Sequence, residues 1–185
     1  VGSALSLSGA AYQGVFKNPL VAPDLLGVSS GACVGASVAI LLHLNSFGVQ
    51  AMAFVAGILA VGLTLFIPRL IKNTNMTMLV LSGIIVKGIM DSVMGIIKYV
   101  ADPETELQSI TYWQLGSLTK VLPKDLFTVG PVIVAASVII FLLRWRINIL
   151  SLGDREAKTL GVSVTVVRNF IIICATLLTA SAVCI

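Results

Sequence analysis

Six apolar runs, separated by short polar breaks, set the strongest limit on what this sequence can fold into. A helical bilayer crossing takes about 20 predominantly apolar residues, and its backbone hydrogen bonds are satisfied within the helix. The runs therefore predict an all-α, polytopic transmembrane helical bundle with four complete spans and with the first and last spans truncated. The six runs are Val1–Phe16, Val28–Leu44, Val49–Ile67, Met76–Val100, Leu126–Leu143 and Phe170–Ile185.

Composition supports a lipid environment for these runs. Of the 185 residues, 57% are hydrophobic and 11% are charged, and the mean hydropathy is +1.04. A soluble domain carries about 25% charged residues, so this chain lacks the polar surface that water requires. We predict a single transmembrane domain over residues 1–185, truncated at both ends, because the chain begins without Met inside one apolar run and ends in another that is short.

The basic residues fall on alternate breaks, which predicts an orientation in the membrane. Lys and Arg accumulate on the cytoplasmic loops of membrane proteins. The breaks predicted to face the cytoplasm carry Lys17, Arg69, Lys72, Arg144, Arg146, Arg155, Lys158 and Arg168. The opposite loops, 45–48 and 101–125, carry Lys120, Lys124, Asp102, Glu104, Glu106 and Asp125. The net charge of +4 therefore reflects membrane orientation, and no nucleic-acid partner is predicted.

Motifs of catalysis and metal binding are missing from the sequence. It contains no P-loop, G-x-S-x-G or H-E-x-x-H pattern, so any ATP would have to be hydrolysed by another chain. Cys33, Cys174 and Cys184 lie in apolar runs without metal-ligand spacing, and we interpret them as buried small hydrophobes. His43 ends an apolar run and is interpreted as an interfacial residue. We predict no catalytic residue, no metal site and no cofactor.

A turn with two prolines follows the first run and leads into a row of small residues. Glycine recurs every four residues at Gly27, Gly31 and Gly35, and Ala39 continues the row. Small residues in such a row let helix backbones approach closely, so the spacing predicts a packed helix interface.

The same turn resembles a known family of membrane proteins. Residues 18–32 read Asn-Pro-Leu-Val-Ala-Pro-Asp-Leu-Leu-Gly-Val-Ser-Ser-Gly-Ala. This is similar to the Asn-Pro-Leu-Ala-x-Pro-x-Leu-Leu-Gly-x-Ser-x-Gly-Ala stretch of the permeases for iron-chelate and vitamin B12 uptake (FecCD-type). The resemblance implies a type II ABC importer permease fold, of which this chain covers the second span to the start of the seventh of ten.

The polar stretch 148–168 is predicted to lie at the cytoplasmic surface as a short amphipathic helix. On its own it would be interpreted as a solvated interfacial helix. It also resembles the family's coupling segment, which docks into a groove of the ATPase subunit. The resemblance implies close docking at the small Gly153 and Ala157, with polar contacts from the charged residues including Glu156. The coupling residues so implied are Leu152, Gly153, Asp154, Arg155, Ala157, Lys158, Leu160 and Gly161.

Two further stretches match family positions. Residues 112–118 resemble a Trp-x-x-Gly-Ser stretch on a short outer helix, where Trp113 is either a membrane anchor or a contact to substrate. A polar break at the cytoplasmic mouth occupies the position of the family's cytoplasmic gate. The gate residues so implied are Asn73, Thr74, Asn75, Met76 and Thr77.

Lys87 and Asp91 depart from the family pattern, which has small or apolar residues there. Charges at membrane depth are unfavourable unless they are paired or face water. Their four-residue spacing places both on one helical face, so we predict either a structural ion pair between them or a role in lining the pathway.

The resemblance implies a permease subunit that moves ferric siderophore, haem or cobalamin into the cytoplasm of a bacterium, as a multi-pass protein of the cell membrane. Its expected partners are an ABC ATPase subunit, a second permease subunit in a homodimer or heterodimer, an extracytoplasmic substrate-binding protein and membrane lipid. An ion-coupled secondary transporter is the alternative, but it would usually need intramembrane carboxylates, and only Asp91 qualifies. A membrane enzyme would need a polar catalytic set at one depth, which the sequence does not show.

Overall fold

The computed structural model describes residues 1–71, 75–116, 123–161 and 163–184, and every regular element in these ranges is a helix. The predicted all-α class is therefore confirmed. In chain order the helices are α1 (Gly2–Phe16), α2 (Val28–Leu41), α3 (Ser46–Leu70), α4 (Met76–Val100), α5 (Glu106–Leu115), α6 (Pro123–Leu142), α7 (Arg144–Leu152), α8 (Asp154–Thr159) and α9 (Val164–Val183).

Within the described ranges, three helices are long and apolar enough to cross a membrane: α3, α4 and α9. Helices α6 and α7 count as a fourth span only if the bent pair is taken together, because their axes differ by 54°. Helix α9 begins at Val164, so the predicted start at Phe170 is wrong. The prediction assigned Arg168 to a loop, whereas its guanidinium lies in the first turns of α9 and is paired with Asp154.

Helix α2 has 14 residues and spans about 21 Å at 1.5 Å per residue, which is less than the roughly 30 Å of a bilayer core. It ends at Leu41 and not at Leu44, because His43 takes a left-handed backbone conformation with φ 52°. The Cα of Gly83, about 10 Å into α4, lies against the carbonyl of Leu25, so the turn before α2 runs beside the membrane-spanning part of α4.

The glycine row forms the interface between α2 and α3, as predicted. A Cβ added at Gly31 would meet Ala60 Cβ and Ala56 O, and one added at Gly35 would meet Met52 O and Ala56 Cβ. Helix α3 contributes Gly57 to the same close approach. Gly27 has a different role, because it precedes α2 with φ 79°, a left-handed conformation that glycine adopts without strain.

Helices α1 and α9 are joined by buried hydroxyl groups. Ser8 Oγ donates to Ala175 O at 2.9 Å and lies 2.7 Å from Thr179 Oγ1. Tyr12 Oη lies 3.0 Å from Thr176 Oγ1. Hydrogen bonds of this kind hold membrane helices together where lipid offers no hydrophobic driving force between them. These hydrogen bonds therefore hold α1 and α9 together as a packed helix pair.

Candidate coupling and pathway sites

The predicted surface segment is built from two short helices. Helix α7 leaves the axis of α6 at Leu143 and begins at Arg144, four residues before the predicted boundary at 148. Gly153 separates α7 from α8 with φ 151°, a conformation that side chains rarely adopt, and a Cβ there would collide with the Glu156 carboxylate. The expected single amphipathic helix is therefore wrong, because Gly153 breaks it.

Helix α7 is seated on α1. A Cβ added at Gly14 would lie 2.6 Å from Ile147 Cγ2, so the two helices touch at that glycine. Leu150 is buried, and Ala157 of α8 is completely buried in the same core cluster. The Ala157 side chain therefore packs inside this chain, and its expected docking role stays a prediction.

Asp154 joins three elements through one carboxylate. Its Oδ1 accepts from Lys17 Nζ at 2.9 Å, at the end of α1, and from an Arg168 guanidinium nitrogen at 2.9 Å, in α9. Its Oδ2 accepts from the same nitrogen of Arg168 at 2.8 Å. These contacts place the Lys17 break and the 144–168 break at one end of the bundle, as the orientation prediction requires.

The ion pairs also determine the charge state of Asp154. Partial burial alone would raise the pKa of its carboxyl, but hydrogen bonds from Arg168 and Lys17 outweigh burial and lower the pKa below its ordinary value of 3.8. The carboxylate is therefore ionised at neutral pH. The stability that it contributes is present above that ordinary value and is lost as the pH falls through the lowered pKa.

The outer side of the segment remains open. Leu152 is 69% exposed and Leu160 is 61% exposed, although both are apolar. Arg155 and Lys158 are exposed between them, and Gly161, with φ 76°, follows. We call Leu152, Arg155, Lys158 and Leu160 the coupling surface. It combines apolar anchors with two cations at the end of the bundle predicted to face the cytoplasm.

Lys87 pairs with a residue that the sequence analysis did not consider. Its Nζ lies 2.8 Å from Oδ2 of Asp24, while Oδ1 of Asp24 accepts from the backbone N–H of Ser29 at 3.0 Å. The predicted ion pair between Lys87 and Asp91 is therefore wrong. The turn before α2 brings Asp24 next to α4. The Asp24 carboxylate therefore reaches the Lys87 ammonium, and Asp91, one turn further along α4, does not pair with it.

One face of α4 is left uncovered by the described residues. The helix packs against α2 and α3, and its other side exposes Gly88, Asp91, Ser92 and Gly95 at helical spacing. A Cβ added at Gly88 or Gly95 would meet nothing within 4 Å. We call this set the open face of α4. Together with the half-exposed Lys87 it gives a polar strip inside an apolar span.

The predicted gate is only partly described. Asn73 and Thr74 lie outside the described residues, as does the neighbouring Lys72. Asn75 precedes the first residue of α4, and Met76 and Thr77 form its first turn. The structure thus places the described part of the gate at the start of the helix that carries the open face.

The outer helix α5 packs beneath the end of α2. Ile110 is fully buried, and Trp113 is partly buried against a cluster that includes Ala39 and Cys184. Part of the Trp113 ring is therefore buried by packing within the chain. The two predicted roles, a membrane anchor and a contact to substrate, did not include this packing. Ser117, Leu118 and Lys120 lie outside the described residues, as do the side chains of Lys124 and Asp125.

The cysteine and histidine side chains form no metal-binding cluster in the described part of the chain. Cys174 and Cys184 are buried free thiols and Cys33 is partly buried. His43 is exposed, with Nε2 3.6 Å from Glu106 Oε1. In these ranges no three His, Cys, Asp or Glu side chains come together as a possible metal site.

Spans of this length, with two short helices at the basic end and a polar strip on one span, define a polytopic α-helical membrane protein. The particular family follows from comparison with known proteins. The chain belongs to the FecCD transport family, whose pattern matches residues 1–185. The predicted resemblance is therefore confirmed.

Curated relatives are similar to this chain in sequence over nearly its whole length. The molybdate import permease MolB of Haemophilus influenzae is 34% identical over 186 residues, which is 100% of this chain and 55% of MolB. A probable iron chelatin transport system permease of Helicobacter pylori is 37% identical, over 99% of this chain and 55% of its own. A solved structure described as a metal-chelate type ABC transporter in an inward-facing conformation superposes with a TM-score of 0.92 at 33% identity, over 100% of this chain and 59% of that one.

The chain spans about half the length of the curated relatives it matches. Other relatives are named as permeases for hemin and for cobalamin. The family is therefore one of import permeases with several kinds of cargo, and molybdate is a cargo that the sequence analysis did not include.

Proposed function

We propose that this chain is part of the membrane-spanning permease subunit of an ATP-driven importer for a ferric siderophore, haem or cobalamin. ATP hydrolysis is assigned to a separate ABC ATPase subunit. One observation supports this most directly: the coupling surface is exposed on two helices whose other sides are fixed to α1 and α9. A surface segment held in this way can pass movement of a docked partner into the spans.

The coupling surface is proposed to dock into the ATPase. Leu152 and Leu160 would fill apolar pockets there, while Arg155 and Lys158 would meet its polar rim, as is common at protein interfaces. Glu156 is exposed beside them and Gly161 follows Leu160, so both would lie at the edge of the contact. Asp154 and Ala157 are proposed to hold the segment to the bundle instead, because one is paired within the chain and the other is buried.

Cysteine cross-linking tests this assignment. With the full-length protein assembled with its ATPase, we expect Arg155→Cys and Lys158→Cys to form cross-links to a cysteine placed in the ATPase groove. The matched control is Tyr99→Cys. Tyr99 is 90% exposed, but it lies at the C-terminal end of α4, the end opposite the predicted cytoplasmic gate. Cross-linking from Tyr99→Cys at the same yield, or none from either coupling position, would contradict the docking assignment.

The open face of α4 is proposed to border the cargo pathway between this subunit and a second permease copy. Lys87 and Asp91 lie within a span, yet both are exposed in the chain alone. Exposed charges at membrane depth are stable where water or a polar partner reaches them, and a pathway between two copies supplies water. The substrate-binding protein would deliver cargo to the outer end, beside α5.

The gate at Asn73, Thr74, Asn75, Met76 and Thr77 is proposed to open and close at the inner mouth of the same pathway. We expect Thr74→Cys and Thr77→Cys in the assembled transporter to change their rate of thiol labelling between the nucleotide-free and ATP-bound states. Leu20→Cys, exposed in the turn before α2, is the control that should label at the same rate in both states. Equal rates at Thr74 and Thr77 in a transporter that remains active would remove the gate from the account.

A further inference from the structure

Asp154 differs from its neighbours on the surface segment because its half-exposed carboxylate is paired within the chain. It accepts hydrogen bonds from the end of α1 and from the beginning of α9, while Arg155 next to it is exposed. Asp154 and Arg155, which are adjacent in α8, therefore have different roles. One holds the segment to the bundle, and the other is available to a partner.

Arg168 makes this contact specific. Its side chain is only 11% exposed, and one guanidinium nitrogen lies within 2.9 Å of both Asp154 oxygens. Arg168 is the largely buried member of this pair, whereas the Asp154 side chain is 47% exposed, so loss of Asp154 would leave a buried cation without its carboxylate. Arg168 therefore has a strong preference for the position in which α8 lies against the first turns of α9.

Lys17 extends the contact to α1. It follows the last residue of α1 with φ 52°, an unusual conformation for a residue with a side chain, and its Nζ lies 2.9 Å from Asp154 Oδ1. Helices α1 and α9 are themselves joined by buried hydroxyls. A displacement of α8 would therefore be carried to both helices of this pair together.

We infer that Asp154 is a positioning residue that links the coupling surface to α1 and α9, so that movement of the ATPase is converted into movement of the spans. The inference rests on the proposed function. Asp154 itself does not contact the ATPase. Its loss leaves ATPase docking in place but lets α8 move without moving the bundle, so ATP is hydrolysed with less transport.

Hydrogen exchange of the full-length protein alone tests the positioning part without the ATPase. We expect Asp154→Asn to increase amide exchange in residues 144–161 and Arg155→Gln to leave it at the wild-type rate. Asp154→Glu, which keeps the charge, should restore most of the protection. Unchanged exchange in Asp154→Asn would overturn the inference, because it would show that the carboxylate does not hold the segment.

Reconstituted transporter, assembled with its ATPase and binding protein, tests the consequence. We expect Asp154→Asn to weaken ATPase binding less than Arg155→Gln does, while cargo moved per ATP hydrolysed falls roughly fivefold or more, a loss typical of coupling energies of about 1 kcal/mol. Lys17→Met added to Asp154→Asn should bring little further loss, because both changes break one contact. Arg155→Gln should weaken ATPase binding instead.

The outcomes separate this inference from the function on which it rests. If wild-type protein neither binds an ATPase nor transports with ATP, the proposed function fails, whatever hydrogen exchange shows. If the wild type is coupled and Asp154→Asn keeps its transport per ATP, the inference fails alone. If Asp154→Asn loses ATPase binding as severely as Arg155→Gln, Asp154 is a docking contact and the inference is overturned.

Discussion

Changing Lys87 to Met alone, or Asp24 to Asn alone, is expected to lower the membrane yield of the full-length protein more than changing both together. The two side chains form an ion pair of 2.8 Å beside the middle of α4. Each single change leaves one charge without its partner at membrane depth, where insertion scales place a lone charge at about 2.5–3.5 kcal/mol. That figure is an upper bound here, because the Lys87 side chain is 47% exposed.

Asparagine is the appropriate replacement for Asp24 because it keeps an oxygen for the backbone N–H of Ser29. The double variant is then neutral and retains an acceptor for the Ser29 N–H, so its yield should return close to that of the wild type. A recovery of about 1 kcal/mol would correspond to roughly a fivefold change in the ratio of folded to unfolded protein. Detergent-extracted monodisperse protein and transport rate should both be measured for all four versions.

Asp91→Asn provides the matched control for this experiment. Asp91 is one turn from Lys87 on the same helix, but it is not the residue that holds the ammonium. Its replacement should change the yield less than Asp24→Asn does, because Asp91 attracts Lys87 only from a distance, without a hydrogen bond. If Asp91→Asn and Asp24→Asn reduce the yield equally, or if the double variant is worse than either single one, the Asp24–Lys87 pair is not the stabilising contact.

Transport by the double variant separates the two roles left open for Lys87. A double variant that is produced well and transports well would show that the pair is structural only. One that is produced well but transports poorly would show that the charges also serve the cargo pathway, as the position of Lys87 beside the open face of α4 supports.

Gly35→Ala is expected to destabilise the protein by about 1–3 kcal/mol through overpacking of the interface between α2 and α3. A Cβ at this position would meet Met52 O and Ala56 Cβ, and the first of these is backbone that cannot turn aside. The two helices would have to separate along the glycine row. Thermal unfolding in detergent should therefore show a clear decrease in Tm.

Gly62→Ala is the control, since it makes the same chemical change in α3 at a position where a Cβ meets nothing within 4 Å. Alanine favours helix over glycine by about 0.5–1 kcal/mol, so this variant should be neutral or slightly stabilised. Equal losses of Tm in the two variants would mean that helix propensity or lipid contact, and not the close approach of α2 and α3, sets the result.

The features predictable from sequence were those encoded in local patterns. Apolar runs determine the helical membrane class, because backbone groups in lipid have few alternatives to a helix. The glycine row predicted the α2–α3 interface, since four-residue spacing keeps small residues on one face. The surface segment was located for a similar reason, because its polar residues interrupt the apolar pattern between two spans.

The long-range charge pairs could not be predicted in this way. Asp24 and Lys87 are 63 residues apart, and Lys17 and Asp154 are 137 apart, so no local spacing connects them. The i, i+4 relation of Lys87 and Asp91 was the local alternative, and tertiary packing overrode it. A signal did exist in the turn, because Asp24 is a charge within an otherwise apolar stretch entering a helix that is too short to cross the membrane.

The burial of Ala157 and the pairing of Asp154 show a second limit. A predicted docking motif in sequence does not separate the residues proposed to meet the partner from those that hold the motif in place. The two kinds are interspersed along residues 152–160, and charged residues occur in both. Only the direction of each side chain distinguishes them, and that direction depends on how α8 lies against α1 and α9.

ATP-dependent uptake is the measurement that tests the central proposal most directly. The full-length protein should be reconstituted in liposomes with its ATPase and binding protein, and offered radiolabelled ferric siderophore, hemin, cobalamin and molybdate separately. We predict uptake of a siderophore, hemin or cobalamin that requires both ATP hydrolysis and the ATPase subunit and is unaffected when ion gradients are dissipated. Uptake of molybdate alone would correct the cargo. Uptake that is driven by an ion gradient and persists without the ATPase would contradict the proposal.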